Sequence, residues 1–119
     1  MWKVQPETEY EKRAGKWPKK HQREFVAVHT NLRTYLRALN SGAKVEQTRY
    51  GFMHSEPRGV VAIDQKGGGV GLKETRLYVY VNKSLEIIHL ITIGDKSTQR
   101  VDIQYACEFV RRLAERQQS

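Results

Sequence analysis

The sequence predicts an α+β fold, a small antiparallel meander packed against two N-terminal helices and one C-terminal helix, and three observations carry that prediction. Apolar residues recur every three or four positions in residues 18–41 and again in 99–117, the period of a helix with one buried face. Between these stretches, three runs rich in Val, Ile, Leu and Tyr read as strands. The length of 119 residues, with 39% hydrophobic and 29% charged, suits one domain over 1–119 built on a single core.

The first element is a short strand at residues 2–5, followed by a charged helix-compatible stretch at 7–16 with few apolar anchors. The helix at 18–41 is written by Phe25, Val28, Leu32, Tyr35, Leu36 and Leu39, with Pro18 at its start and Gly42 just past its end. Residues 49–56, Arg49-Tyr-Gly-Phe-Met-His-Ser-Glu56, read as irregular. The strands follow at 59–64, 75–81 and 85–93, the last two joined by the hairpin loop Asn82-Lys83-Ser84. In the middle strand Arg76, Tyr78 and Tyr80 share one face and Leu77, Val79 and Val81 the other, which makes one face core and the other polar and aromatic. The third strand is apolar at nearly every position, as expected of a central strand covered on both sides. Ile103, Ala106, Cys107, Val110, Leu113 and Ala114 define the last helix, with Asp102 near its N-terminus, where the helix dipole favours a carboxylate.

The charge is one-sided. Lys and Arg number 21 against 13 Asp and Glu, a formal net charge of +8, so an acidic partner is expected. Residues 1–50 hold eleven basic and five acidic residues, residues 51–119 ten and eight. The densest strip contains Lys12, Arg13, Lys16, Lys19, Lys20 and Arg23 with His21 and no acidic residue between them. It is either a phosphate-facing strip or a solvated helical face. No run approaches the roughly 18 apolar residues of a membrane span, and Met1-Trp2-Lys3-Val4 lacks the apolar region of a signal peptide. A cytoplasmic protein without a membrane partner is expected. The lone Cys107 cannot form an internal disulfide and sits on an apolar stripe, as a packing residue would.

Several constellations bear on chemistry. Lys66-Gly67-Gly68-Gly69-Val70-Gly71-Leu72-Lys73 meets neither the G-x-x-x-x-G-K-S/T nor the G-x-G-x-x-G spacing. It reads as a flexible connection, and as a mobile loop it could close over a polyanion through Lys66 and Lys73. His21, His29, His54 and His89 include no pair at i, i+4, so neither a metal nor another cofactor is expected. His29 falls on a polar helix flank, where it should be solvated, and His89 in the apolar strand, where it should be core. His54 beside Glu56 is either structural or a general acid or base, its ordinary pKa being about 6.5. Asp64, Glu74, Asp95 and Asp102 stand apart in sequence, which disfavours two-acid hydrolysis. In an antiparallel hairpin, Lys73 and Arg76 at one strand's start should meet Lys96, Gln99 and Arg100 after the next strand's end. Such cations suit a phosphate and its transition-state charge; the alternative is a solubilising basic rim.

At these residues the sequence resembles the RelE/ParE superfamily of bacterial toxins, in particular HigB-like and phage-derived relatives. The likeness joins Leu36-x-x-Leu39-x-x-Gly42, the strands Glu74-Thr-Arg-Leu-Tyr-Val-Tyr80 and Ile87-Ile-His-Leu-Ile-Thr-Ile-Gly94, and the exit Lys96-Ser-Thr-Gln-Arg-Val-Asp-Ile103, covering roughly residues 20–115 in order and type. It implies the toxin of a type II toxin–antitoxin system, with a cognate antitoxin as partner. Its implied activity is metal-independent, ribosome-dependent cleavage of mRNA: attack of an RNA 2′-OH on the adjacent phosphorus, leaving a cyclic phosphate. By that resemblance Arg76 matches the arginine that contacts the scissile phosphate and Lys96 the basic residue after the strand-ending Gly94. Where the RelE branch has a tyrosine this chain has Asp102, with Tyr105 one turn on, and His54 or Lys73 is left for proton transfer. The RNA-binding set is then Lys12, Arg13, Lys16, Lys19, Lys20, Arg23, Arg49, Lys66, Gln99 and Arg100. Two other readings stay open: a non-catalytic nucleic-acid or protein-binding module on the same fold, and a ParE-type gyrase inhibitor.

Overall fold

The computed structural model describes residues 1–118. Strand β1 (Lys3–Pro6) leads into helices α1 (Thr8–Ala14) and α2 (Pro18–Asn40). Strands β2 (Met53–Ser55), β3 (Val60–Ile63), β4 (Thr75–Asn82) and β5 (Ile87–Asp95) follow, and helix α3 (Gln99–Gln118) closes the chain. Short 3₁₀ turns at Val45–Gln47, Pro57–Gly59 and Lys96–Thr98 connect them.

The α+β class and the meander β3-β4-β5 agree with the sequence reading, but the sheet is larger and mixed. Its order is β1-β5-β4-β3-β2. β1 pairs parallel with β5, and the other three pairings are antiparallel. The wholly antiparallel sheet is therefore corrected: β1 lies beside β5 and runs in the same direction, the chain between them passing through two helices and three antiparallel strands. β2 lies within the segment expected to be irregular; at three residues it is too short for a period-two pattern to stand out. β5 runs two residues beyond the expected end, and the hairpin turns through residues 83–86 with Glu86 at φ 54°.

The sheet is covered on both faces. Val28, Leu32, Tyr35 and Leu39 of α2 and Tyr10 of α1 pack with Ile63, Leu77, Val79, Ile88, Leu90 and Ile93. Ala106 and Val110 of α3 pack with Val60, Ala62, Tyr78 and Ile91 on the other side. The face expected to be polar and aromatic is thus a second core, because α3 lies across it. A bulge makes both faces of β5 fit: Tyr78 pairs with Thr92 and Val79 with Leu90, leaving Ile91 extra. The alternation shifts there, so Ile88, Leu90 and Ile93 face α1 and α2 while Ile91 faces α3. Each side chain so buried contributes about 1.5–3 kcal/mol.

α2 begins at Pro18, whose fixed φ suits a first helical turn, and is kinked at His21 (φ −135°, ψ 48°). Among the described residues no helix is long and apolar enough to cross a membrane.

Candidate nucleic-acid interface

The basic strip folds into the elbow between α1 and α2. The N–H groups of Gly15, Lys16 and Trp17 donate to Glu11 and Arg13 carbonyls and end α1, and Pro18 starts the next helix in a new direction. The elbow lies over the end of β5, where a cleft of about 350 Å³ is lined by Arg13, Lys16, Trp17, Lys20, His21, Asp95 and Thr98. The strip and the β5–α3 turn, far apart in sequence, share this cleft.

Arg13 holds the two sides together. Its Nη1 donates to Oδ1 of Asp102 at 2.7 Å and to the Ile93 carbonyl at 3.0 Å. Asp102 is only 1% exposed, and its Oδ2 accepts from the Thr98 hydroxyl at 2.7 Å. Gly94 makes room for this carboxylate, since a Cβ there would lie 1.8 Å from Asp102 Oδ2. Asp102 lies in the first turn of α3, as expected, and is a buried strut between α1, β5 and α3. Asp95 Oδ1 accepts from the Ser97 N–H and hydroxyl and from the Thr98 N–H. These bonds, the Ser97 hydroxyl foremost, hold its carboxyl below the usual range.

The strip itself divides. Arg13 is committed to Asp102, and Arg23 donates to the Val70 carbonyl at 3.0 Å. Lys12, Lys16, Lys19 and Lys20 are exposed, with no ion pair among the described residues. Lys96 and Arg100 are likewise exposed and unpaired, and Gln99 is half-buried.

A second constellation sits at the same end of the sheet, on the α3 face. Met53, Ile63, Leu77 and Ile93 form one cross-strand row. One step inward lie His54, Ala62, Tyr78 and Thr92; one step outward lie Arg76 and Gly94, with Asp64 next after Ile63. His54 Nε2 is 2.6 Å from Oδ2 of the buried Asp64. Donation to that carboxylate fixes the tautomer and leaves Nδ1 to accept a proton. Asp64 also accepts from the Lys66 N–H at 2.8 Å. Asp64 stands alone in sequence, yet once β2 pairs with β3 it comes two residues past the partner of His54.

The expected meeting of Lys73 and Arg76 with the residues after β5 holds for the backbone, where Thr75 pairs with Asp95 and Arg76 with Gly94. The side chains diverge. Asp95 lines the elbow cleft, whereas Arg76 runs along the α3 face, where Nη2 and Nε reach Glu74 Oε1 at 2.9 and 3.1 Å. Its Nη1 lies 3.7 Å from Glu56 Oε2. Tyr78 is fully buried beside this group with an unbonded hydroxyl, as is the Thr92 hydroxyl opposite it. Burial, then the Asp102 charge, raises the Tyr78 pKa.

The glycine loop is tied to α2 by hydrogen bonds. Asn31 Nδ2 donates to the Asp64 and Lys66 carbonyls, Arg23 holds Val70, and Glu24 accepts from the Lys73 N–H. Gly68 packs so closely on α2 that a Cβ would come 2.4 Å from Ala27 Cβ. Lys66 donates to the Gly51 carbonyl, while the Lys73 side chain is exposed. Arg49 is exposed beside a different groove, next to Tyr35 and Tyr80.

The remaining ring and thiol groups are structural. His29 is not solvated: Nδ1 lies 2.7 Å from the Phe25 carbonyl and Nε2 2.6 Å from the Tyr10 hydroxyl, and burial lowers its pKa. His89 is core, as expected, and pairs with Glu7 at 2.8 Å. Cys107 is half-buried with its Sγ 3.4 Å from the Pro57 carbonyl, and burial raises its pKa, which disfavours a thiolate nucleophile. Among the described residues no three His, Cys, Asp or Glu side chains gather as a metal would need.

Comparison with protein families, with curated proteins and with solved structures finds no match. The chemistry of the site therefore rests on its own residues: unneutralised lysines around an aromatic cleft, and a histidine oriented by a buried carboxylate beside an arginine.

Proposed function

We propose that this chain is the toxin of a type II toxin–antitoxin system, a cytoplasmic, ribosome-dependent mRNA endoribonuclease of the RelE/ParE kind. The observation that carries the reading is the placement of the candidate groups at one end of the sheet. His54 with Asp64, Arg76 and the Lys96 turn lie at that end, spread from β2 to β5, and the elbow lysines that no carboxylate neutralises lie over the end of β5.

Lys12, Lys16, Lys19, Lys20 and Arg100 supply salt-sensitive docking to RNA phosphates. A 2′-OH attacks the adjacent phosphorus in line; the RNA supplies the nucleophile, and the protein positions the strand and stabilises charge. His54 Nδ1 takes the 2′-OH proton while Asp64 stabilises the resulting imidazolium. Lys96, with the exposed Lys73, faces the phosphoryl oxygens. Arg76 joins them by exchanging its hold on Glu74 and Glu56 for the more highly charged phosphate. The bond to the 5′-oxygen breaks, the leaving oxygen takes a proton from solvent water, and the product ends in a 2′,3′-cyclic phosphate. A cognate antitoxin carrying acidic side chains would cover the same lysines.

The Glu74–Arg76–Glu56 contact also favours a second reading, a binding module in which Arg76 is purely structural. Incubation of purified protein with ribosomes and message separates the two. The nuclease reading expects new 5′ ends that disappear in Arg76→Ala and His54→Ala; the module expects salt-dependent RNA binding with no new ends. Growth arrest with broken DNA and intact message would instead indicate a gyrase inhibitor.

A further inference from the structure

The elbow cleft has a composition that general phosphate docking does not explain. Its wall combines an indole, an imidazole, two unpaired ammonium groups, a carboxylate and a hydroxyl: Trp17, His21, Lys16, Lys20, Asp95 and Thr98. Arg13, which also lines it, is held by Asp102.

A bare phosphate has no use for an aromatic wall and is repelled by Asp95. An acidic peptide would meet the same carboxylate. A nucleotide matches each part. Its base offers a flat π-face to Trp17 and His21, whose rings lie 5.5 Å apart at 44°, and aromatic platforms of this kind bind bases of any sequence. Its phosphates suit Lys16 and Lys20. An exocyclic amine can donate to Asp95, whose Oδ2 takes no hydrogen bond among the described residues while Oδ1 takes three. The volume of about 350 Å³ lies at the small end of ligand clefts, which span roughly 300–1,000 Å³, so it holds a single nucleotide unit rather than a helix.

We propose that the α1–α2 elbow is a subsite for one nucleotide of single-stranded RNA, the base stacked on Trp17 and the flanking phosphates held by Lys16 and Lys20. This rests on the RNA-directed reading above and extends it by assigning a base-stacking position away from His54. It places the bound strand across the end of β5, between the elbow and the Lys96 turn.

The test uses the full chain and a cytidine hexaribonucleotide, followed by tryptophan fluorescence. Trp2 is the second tryptophan, so Trp2→Phe leaves a reporter at position 17. The hexamer is expected to quench that variant and to leave Trp17→Phe, which keeps a ring and retains Trp2, unquenched. By fluorescence-anisotropy titration of labelled hexamer, Trp17→Leu is expected to weaken binding roughly 5- to 150-fold, the effect of one stacked base. The combined Lys16→Gln/Lys20→Gln variant keeps the ring and lowers the slope of log affinity against log salt by about 1.4. Quenching through Trp2 alone, or wild-type affinity in folded Trp17→Leu, overturns the proposal. So does an unchanged salt slope in the lysine variant, which also decides the matter if Trp17→Leu fails to fold. A glutamate hexapeptide that quenches Trp17 and displaces the RNA would reassign the cleft to an acidic protein segment. Ribosome-dependent cleavage that persists with wild-type hexamer affinity in Trp17→Leu overturns this subsite and leaves the nuclease reading standing. Trp17-dependent binding without cleavage does the reverse.

Discussion

Replacing Gly94 by alanine tests the strut that joins the elbow to α3. The new Cβ would sit 1.8 Å from Asp102 Oδ2 and 2.6 Å from Thr98 Oγ1, and neither the strand backbone nor a carboxylate held at 2.7 Å by Arg13 can yield freely. Overpacking of this kind costs about 1–3 kcal/mol. Pushing Asp102 off Arg13 adds part of the roughly 3–5 kcal/mol seen when a buried pair is broken, reduced here because Arg13 is 31% exposed. Gly94→Ala should therefore cost about 3–5 kcal/mol, a large share of the ~5–15 kcal/mol that holds a domain folded. Asp102→Ala alone should cost about 2–4 kcal/mol by leaving Arg13 half-buried without its carboxylate. In the double variant the methyl introduced by Gly94→Ala occupies the space the carboxylate vacated, so the pair should cost little more than Asp102→Ala. That is a coupling of at least about 2 kcal/mol in the direction of rescue. Urea unfolding with unchanged m-values measures all three. Additive costs in the double variant would refute the strut.

Three further outcomes are expected. Burial keeps His29 neutral below its ordinary pKa of 6.5, so between pH 6.5 and its lower folded pKa the unfolded chain binds more protons than the native one. Stability should be full above pH 6.5 and fall as pH drops below it; urea midpoints at pH 7.5 and 5.5 should show a smaller loss in His29→Gln than in wild type. If His54 carries the proton, His54→Ala should reduce cleavage by folded protein about 10²–10⁴-fold, and it should also lower the unfolding midpoint because the buried Asp64 loses its partner. Adding Asp64→Asn should then cost nothing more in rate, because Asp64 acts through the ring. Gly68→Ala should destabilise the chain by about 1–3 kcal/mol and speed amide exchange in residues 65–72, since its Cβ would meet Ala27 Cβ at 2.4 Å and Leu72 Cδ1 at 2.9 Å.

Long periodic elements are legible in the sequence. α2 and α3 each repeat an apolar face over twenty or more residues, so tertiary context has little to override; β4 is found where its run predicts it, although its Tyr78 face is buried as well. β2 is not legible, because three residues carry no period and its pairing with β3 depends on a turn through Pro57–Gly59. Without β2 the His54–Asp64 pair is hidden too, since it exists only through cross-strand register. The basic strip is visible as composition, but its division into four unpaired lysines and two committed arginines is not. Asp102 and Val70, the partners of Arg13 and Arg23, are distant in sequence. The loop's contacts are hidden in the same way: glycines signal local freedom, while the hydrogen bonds from Asn31, Glu24 and Arg23 of α2 come from residues distant in sequence. Arg76 falls at the strand start in sequence and structure alike, while the two carboxylates around it come from a preceding residue and from the far side of the β2–β3 turn.

The activity proposed for this end of the sheet is cleavage of message on the ribosome. The most direct measurement is primer extension on ribosome-bound mRNA incubated with purified protein, together with analysis of the 3′ end groups. New 5′ ends within the bound message, paired with 2′,3′-cyclic phosphate termini and lost in His54→Ala, are the predicted result. Intact message at protein concentrations that halt growth would contradict it.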